Sequence, residues 1–225
     1  MNPFSTAFTR GTPHGVIVAI HLPEPNGTIS NDALQRLHPD EQEYAQNLGG
    51  HREVQWIGGR LAARKAVRAI GKDMGPLLMD ARGAPTSPQG LTISISHKAN
   101  LAIAIASQMR HGSVGIDLEH MGRDRRQIGE KVLRTEELEF VQSLQTERQW
   151  GATLIRFAIK EATYKALAPR LKRYIGFHEA SIEQVKDGSA NLTLALESTD
   201  GPSGVEAHYQ WMPEGLIATV RARWD

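Results

Sequence analysis

The sequence predicts an α+β fold of two similar lobes, each an antiparallel sheet packed with a long helix. Short apolar runs between turn residues indicate strands, and residues 51–70 and 146–168 have the periodicity of long helices. The elements follow the order strand, helices, strands, and then helices and strands again, so one arrangement is used twice. We place the N-terminal lobe at residues 1–108 and the C-terminal lobe at residues 109–225.

In the first lobe, apolar runs and helix-capping residues mark the elements. Val54, Ile57 and Leu61 form one stripe of the long helix, which is expected to end at Gly71. The other predicted elements are a strand at residues 15–22, helix starts at Ser30 and Pro39, and strands at residues 77–79, 91–96 and 101–107.

The same signals mark the second lobe. Thr135, followed by two glutamates, is a favourable helix start, and Pro169 is expected to end the long helix. Strands are predicted at residues 114–119, 180–185, 190–196, 205–211 and 216–224, with turns at Asp187-Gly188, Asp200-Gly201-Pro202 and Pro213-Glu214-Gly215.

Composition argues against several classes of protein. The 26 basic and 25 acidic residues give a formal net charge of +1, without the basic excess of a general nucleic-acid binder. The chain has no cysteine, which excludes disulfides, thiolate metal sites and a cysteine nucleophile. The longest purely apolar run, residues 101–106, is shorter than the roughly 20 residues of a membrane-spanning helix, and residues 1–10 do not resemble a signal peptide. We therefore expect a cytoplasmic protein that binds neither membrane nor nucleic acid.

Two carboxylates are predicted to share one face of the strand at residues 114–119. Side chains alternate along a strand, so Asp117 and Glu119 point to one side while Ile116 and Leu118 point to the other. Taken alone, the pattern also fits a sheet whose outer face is merely solvated.

The second long helix carries charged residues where core residues are expected. Trp150, Leu154 and Phe157 form an apolar stripe that continues at the same spacing into Glu161 and Lys165. A buried ion pair, or a stripe whose last turns reach solvent, also explains this pattern.

Three converging carboxylates, Asp117, Glu119 and Glu161, would repel one another unless a cation joined them. Oxygen ligands without cysteine or histidine favour a hard ion such as Mg²⁺, which keeps open positions for water and phosphate oxygens. The cluster therefore suggests a pyrophosphate clamp with Lys165 beside it.

Two further segments suggest phosphate binding. Ser96, His97 and Lys98 lie at a predicted strand end, where they would form a cradle, although a histidine hydrogen-bonded in a turn explains the segment equally well. Ser96 and His97 point in opposite directions in an extended chain, which argues against a serine nucleophile with an adjacent base. Arg52 and Arg60 lie about two helical turns apart, so both emerge on nearly the same helix face, and guanidinium groups suit bidentate phosphate binding. A solvated basic face is the default interpretation for such a helix.

Four segments together resemble the surfactin-synthetase type of 4′-phosphopantetheinyl transferases, in the order of that family. They are GRLAAR at residues 59–64, SISH at 94–97, GIDLE at 115–119 and FAIKEATYKAL at 157–167. The set is far more specific than any one segment. It implies a pseudo-dimer of two similar lobes with coenzyme A in the cleft between them. It also implies transfer of the 4′-phosphopantetheine group to a serine of an apo acyl or peptidyl carrier protein, with release of 3′,5′-ADP.

The resemblance also implies roles for individual residues. Asp117, Glu119 and Glu161 match Mg²⁺ ligands, and Ser96 and His97 match residues that touch the nucleotide phosphates. The remaining matches are phosphate-contacting lysines at Lys160 and Lys165, and arginines around the adenosine end at Arg52 and Arg60.

The chain departs from the family at Ala84, where many members carry lysine or glutamate between glycine and proline. Because Ala84 cannot supply a charge to the 3′-phosphate, Arg82 and Lys98 are the candidate replacements.

In the implied reaction, the catalytic residues are Glu161, Lys165 and His97. Glu161 is the candidate base for the attacking serine, directly or through water, and Lys165 would stabilise the departing phosphate.

One alternative is a noncatalytic coenzyme A or nucleotide-binding module, against which the intact carboxylates argue. A glycosidase should show sugar-stacking aromatics, yet the chain is only 6% aromatic. The doubled element order predicts a monomer, since one chain supplies both walls of the cleft.

Overall fold

The computed structural model describes residues 3–24, 31–186, 188–196 and 200–225. Within these ranges the fold is α+β with two antiparallel sheets, as predicted. The chain forms two compact units, Met1–Val114 and Gly115–Asp225. The division predicted between residues 108 and 109 lies N-terminal to this point.

The first unit is a four-stranded sheet covered by a long helix. Its strands are ordered β1-β2-β4-β3, and α3 packs across β2, β4 and β3. Apolar side chains of α3 such as Ile57 and Leu61 bury against Val18 and Ile20 of β2. The elements are β1 Thr6–Thr12, β2 Gly15–His21, α1 Asn31–Gln35, α2 Pro39–Gln46, α3 His51–Ala69, β3 Leu91–Lys98 and β4 Leu101–Gln108.

The second unit is a five-stranded sheet covered by a longer helix. Its strands are ordered β5-β9-β8-β7-β6, and α6 packs across β9, β8 and β6. The elements are β5 Ser113–Glu119, α4 Gly129–Val132, α5 Thr135–Ser143, α6 Thr146–Leu171, β6 Ala180–Lys186, β7 Ser189–Leu194, β8 Gly204–Met212 and β9 Gly215–Arg223.

Two predicted elements need correction, and one of the observed strands is not predicted from the sequence. The sequence pattern does not predict β1, because most of its side chains are exposed or half-buried and do not alternate cleanly. Residues 77–79 do not form a strand; Met79 and Pro85 make only an isolated bridge. The helix α6 continues past Pro169 to Leu171, because proline removes one N–H group while the N–H of Lys172 still bonds to the carbonyl of Ala168 at 3.0 Å.

The predicted helix start at Ser30 and the turn residue Asp187 lie outside the described residues. Among the helices of the described ranges, none is both long and apolar enough to cross a bilayer.

Candidate functional site

The acidic strand β5 lies inside the protein. All seven of its residues are buried, and Asp117 is only 4% exposed. The alternative of a merely solvated face is therefore wrong. The carboxylate oxygen Oδ1 of Asp117 accepts a hydrogen bond from the ammonium group of Lys165 on α6, at 2.6 Å. This ion pair joins two of the predicted site residues, one from the strand and one from the helix.

Gly115 explains how β5 can come so close to α6. A Cβ atom at this position would lie 1.9 Å from the carbonyl oxygen of Ala162 and 2.7 Å from the amide nitrogen of Ala166. The strand backbone therefore touches the helix backbone, and only glycine leaves room for that approach. The contact lies two residues before Asp117 on the strand and one residue after Lys165 on the helix.

The buried face of α6 differs from the predicted one. The core stripe runs from Leu154 through Ala158, Ala162 and Ala166, which pack with the apolar residues of the second sheet. The predicted continuation through Phe157 to Glu161 and Lys165 is wrong, since these three residues are only half-buried and lie beside the stripe. Alanine is a weak apolar signal in a sequence, so the larger Phe157 misplaces the stripe.

The predicted magnesium ligands have the right chemistry for the ion, but their side chains are not arranged around a common point. Asp117 and Glu119 are buried carboxylates, and Glu161 is half-buried. Oxygen donors of this kind suit Mg²⁺. Among the described residues, however, no group of three His, Cys, Asp or Glu side chains is arranged to hold a metal ion. The three-carboxylate metal site therefore stays a prediction.

Lys160 has a different environment from Lys165. Its side chain is 1% exposed, and its ammonium group donates to Oε2 of Glu137 at 2.5 Å and to the carbonyl of Val132 at 2.9 Å. Burial lowers the pKa of Lys160, while the hydrogen bond with Glu137 raises it. The ammonium group is thus held inside the second unit, so this geometry does not support the phosphate contact predicted for Lys160.

A pocket in the first unit collects three predicted site residues. Arg52, Arg60 and His97 line this open cavity of about 340 Å³, here called the arginine pocket. Gly83 and Pro85, which flank Ala84, also line it. Arg52 is exposed, whereas Arg60 is only 6% exposed. The adenosine-end residues implied by the resemblance therefore lie around one cavity.

Arg60 is a buried cation with unused hydrogen-bonding capacity. Its guanidinium group stacks on the ring of Trp56 at 3.3 Å, and its Nε donates to the carbonyl of Leu77 at 3.1 Å. Its Nη2 atom is buried and has no hydrogen-bond partner among the described residues. Burial lowers the pKa of Arg60 to about 10, against the opposing effects of Glu41 and Tyr44. A bound anion could supply the missing acceptor and offset this burial.

The end of β3 presents His97 to the arginine pocket. Ile95 and His97 line the cavity, whereas Ser96 is buried on the alternate side of the strand. Ser96 and His97 therefore point apart, as predicted from the extended chain. The contact of Ser96 with nucleotide phosphates stays a prediction.

Asp80 shapes the turn that contains Ala84. Its Oδ1 accepts from the N–H groups of Arg82 at 2.9 Å and Ala84 at 3.0 Å. These bonds and the nearby Arg82 lower the pKa of Asp80. The side chain of Arg82 also lies 3.5 Å from Asp80, so Arg82 is already engaged within the turn.

Sequence reasoning missed the aromatic side of the arginine pocket. Tyr44 stacks on Trp56 with ring centroids 4.2 Å apart, and both rings line the cavity with Arg60. The available signal was spacing, because Trp56 lies one helical turn before Arg60 and must share its face.

Two family models match the chain. One, described as the 4′-phosphopantetheinyl transferase superfamily, matches residues 113–220. The other, described as the 4′-phosphopantetheinyl transferase N-terminal domain, matches residues 40–107. The first range contains the Asp117–Lys165 pair, and the second contains the residues that line the arginine pocket.

Curated relatives cover most of the chain. A 4′-phosphopantetheinyl transferase Npt from Nocardia iowensis is 34% identical over 182 residues, which is 74% of this chain and 78% of the relative. The 4′-phosphopantetheinyl transferase PptT of Mycobacterium tuberculosis is 28% identical over 81% of this chain and 84% of the relative. Enterobactin synthase component D of Salmonella typhimurium is 31% identical over 85% of this chain and 80% of the relative.

Proposed function

Since the chain belongs to the 4′-phosphopantetheinyl transferase superfamily, we propose that it transfers the 4′-phosphopantetheine group of coenzyme A to a serine of an apo acyl or peptidyl carrier protein. The observation that carries the proposal is the arginine pocket. There Arg52 and Arg60 of α3 line one cavity with His97, which comes from β3, much later in the sequence. Guanidinium groups, with an imidazole beside them, suit the phosphate groups of a nucleotide. The pair of buried Asp117 and half-buried Lys165 adds a charged centre suited to phosphoryl transfer.

We propose separate roles for the two groups of residues. Arg52, Arg60 and His97 bind the phosphates at the adenosine end, since all three line a cavity large enough for part of a nucleotide. Lys165 places a positive charge beside the pyrophosphate, where negative charge grows on the leaving 3′,5′-ADP. Asp117 fixes the position of that ammonium group through the 2.6 Å hydrogen bond.

The proposed reaction is a single displacement at phosphorus. The serine Oγ of the carrier forms a bond to the phosphorus next to pantetheine, while the bond from that phosphorus to the 3′,5′-ADP oxygen breaks. Glu161 accepts the serine proton, directly or through one water molecule, and the released proton passes to solvent at the end of the cycle. Catalysis depends mainly on positioning and on charge stabilisation, as in other phosphoryl transfers.

Magnesium is proposed as the metal cofactor, held by Asp117, Glu119 and Glu161. When bound, Mg²⁺ neutralises charge on the pyrophosphate. We expect EDTA to abolish transfer and added Mg²⁺ to restore it. Undiminished transfer after EDTA treatment would rule out this metal requirement.

The transfer assay tests the function directly. The protein is incubated with coenzyme A, Mg²⁺ and a panel of apo acyl and peptidyl carrier proteins, and intact mass spectrometry detects the added phosphopantetheine. We expect at least one carrier to gain this mass on its acceptor serine, and the matched serine-to-alanine carrier to gain none. Coenzyme A binding without modification of any carrier would favour the alternative, a noncatalytic coenzyme A or nucleotide-binding module.

The arginine pocket gives a quantitative prediction. Arg60→Ala should raise the KM for coenzyme A about tenfold or more with little change in kcat, because a lost charge-assisted hydrogen bond weakens ground and transition states alike. Arg52→Ala should act in the same direction but more weakly, since Arg52 is exposed. Steady-state kinetics with coenzyme A and with dephospho-coenzyme A measures the effect and shows whether these arginines recognise the 3′-phosphate.

Arg68 is the matched control for this experiment. It lies on the same helix α3, but its side chain is exposed and pairs loosely with Asp73 at 3.9 Å. Arg68→Ala should leave KM unchanged. If Arg52→Ala and Arg60→Ala discriminate between the two cofactors as the wild type does, the arginine pocket does not bind the 3′-phosphate.

We further propose a cytoplasmic monomer of the surfactin-synthetase type. Support comes from the match of separate N-terminal and superfamily models to one chain. Light scattering of the purified protein should report the mass of one chain. A stable dimer would overturn the monomer assignment.

A further inference from the structure

Glu41 is a buried carboxylate that lies outside the residues assigned to the reaction. It is 0% exposed and occupies the first turn of α2. Its Oε1 accepts from the N–H of Leu77 at 2.7 Å. Its Oε2 accepts from the N–H of His38 at 3.0 Å and from Arg64 of α3, whose Nη2 lies at 2.9 Å and Nε at 3.1 Å. One carboxylate thus joins α2, α3 and the segment that leads to the turn at Ala84.

The second unit repeats this arrangement around Glu137. Its Oε1 accepts from the N–H of Ile182 at 2.7 Å, and its Oε2 accepts from the N–H of Arg134 at 2.8 Å and from Lys160 at 2.5 Å. Glu137 and Lys160 each lie 96 positions after Glu41 and Arg64. The repeat explains why Lys160 is buried, since it holds the place that Arg64 holds in the first unit.

The two arrangements differ in how they are connected to a buried arginine on the long helix. Arg60 and Arg156 are also 96 positions apart, and both are buried cations on the long helices. In the first unit, the N–H of Leu77 donates to the carboxylate of Glu41 at 2.7 Å, and the carbonyl of Leu77 accepts from Nε of Arg60 at 3.1 Å. In the second unit, Arg156 donates instead to the carbonyl of Ala152 in its own helix. Among the described residues, a buried carboxylate is therefore connected to a buried arginine through a shared backbone residue only beside the arginine pocket.

Trp56 is tied to the same residue. Its Nε1 donates to the backbone carbonyl of Glu41 at 3.1 Å, and the guanidinium group of Arg60 lies on its ring. Glu41 therefore binds both residues that contact the Arg60 guanidinium group: Trp56 through its backbone carbonyl and Leu77 through its carboxylate.

We propose that Glu41 is a positioning residue, which acts through Leu77 to hold Arg60 in the orientation that binds the phosphates of coenzyme A. This inference rests on the proposed function. Glu41 is fully buried and is not among the residues that line the arginine pocket; it fixes the segment whose carbonyl orients the guanidinium group. Negative charge at Glu41 also favours the charged form of Arg60 against the cost of its burial.

The test compares Glu41→Gln with its counterpart Glu137→Gln. Both substitutions weaken an equivalent buried network, so both should lower the free energy of unfolding by a similar amount. Only Glu41→Gln should raise the KM for coenzyme A, by about fivefold to tenfold, with kcat within about twofold of wild type. A purely structural loss would reduce the fraction of active enzyme and hence the apparent kcat, and would leave KM unchanged.

A double substitution links the effect to Arg60. If Glu41 acts through Arg60, adding Glu41→Gln to Arg60→Ala should raise KM little beyond the single Arg60→Ala change. Should Glu41→Gln not fold, Glu41→Asp keeps the charge but is too short to reach both partners, and it should show the same rise in KM.

The outcomes separate the two claims. A wild-type protein without transfer activity would reject the proposed function. An active wild type whose Glu41 variants keep a normal KM would reject the positioning role alone. Equal increases in KM for Glu41→Gln and Glu137→Gln, or full additivity with Arg60→Ala, would also reject it.

Discussion

Replacing Asp117 by asparagine should reduce the kcat of phosphopantetheine transfer by about a hundredfold to a thousandfold. The carboxylate of Asp117 is buried and lies 2.6 Å from the ammonium group of Lys165. Asparagine keeps the shape of the side chain but removes its charge. Lys165 would then lose its ion pair with Asp117 and the contact that fixes its proposed position beside the pyrophosphate. The change affects charge stabilisation in the transition state rather than the binding of the adenosine end.

Two measurements separate these effects. Mass-spectrometric rates at saturating Mg²⁺ give kcat, and calorimetry gives the affinity for coenzyme A. We expect Asp117→Asn to keep at least weak binding of coenzyme A, since the arginine pocket is untouched. Glu161→Gln should behave in the same way if Glu161 accepts the serine proton.

Glu206 provides a control carboxylate in the same unit. It pairs with Arg223 at 2.7 Å between β8 and β9, and both side chains are about half exposed. Glu206→Gln should leave kcat nearly unchanged, because exposed ion pairs contribute little. Near wild-type turnover by Asp117→Asn or by Glu161→Gln would show that the proposed catalytic charges are wrong.

Local patterns were enough to predict most of the fold. Glycine, proline or aspartate lies in many of the turns that bound the strands, and the long helices have apolar residues at helical spacing. The starts of α3, α5 and α6 agree with prediction. The strand β1 lacks such a pattern, because little of it is buried. Its position depends on pairing with β2, which is a tertiary contact.

The site was predictable where the residue types carry the chemistry. Asp117 and Lys165 form a pair, and Arg52, Arg60 and His97 share a pocket. Each of these patterns alone also fits a solvated surface, so it is their combination in one sequence, at the spacing of the four family segments, that singles the residues out.

The environment of Lys160 was not predictable from its own segment. Its partner Glu137 lies 23 residues earlier on another helix, and only the folded unit brings the two together. A spacing rule within α6 cannot distinguish this buried ammonium group from the half-buried one at Lys165. The repeat of Glu41 and Arg64 at 96 residues is the sequence signal that identifies it.

Replacing Gly115 by alanine should destabilise the protein by about 3 kcal/mol or more. The new methyl group would overlap the backbone of α6 at Ala162 and Ala166, and backbone atoms cannot move aside as a flexible side chain can. In a domain of this size the loss corresponds to a fall in Tm of about 10 °C. Calorimetric unfolding of the variant measures both quantities.

Gly115→Ala should also impair transfer at temperatures where the variant is still folded. Relief of the overlap requires β5 and α6 to separate, and this separation pulls the carboxylate of Asp117 away from Lys165. Gly151 is the matched control, because it lies within α6 and its added methyl group would meet only the end of Met121 at 3.5 Å. Gly151→Ala should therefore keep full activity and raise stability by up to about 1 kcal/mol through its better helix propensity. If Gly115→Ala unfolds at the wild-type temperature and retains the wild-type kcat, the close approach of strand and helix does not position the Asp117–Lys165 pair.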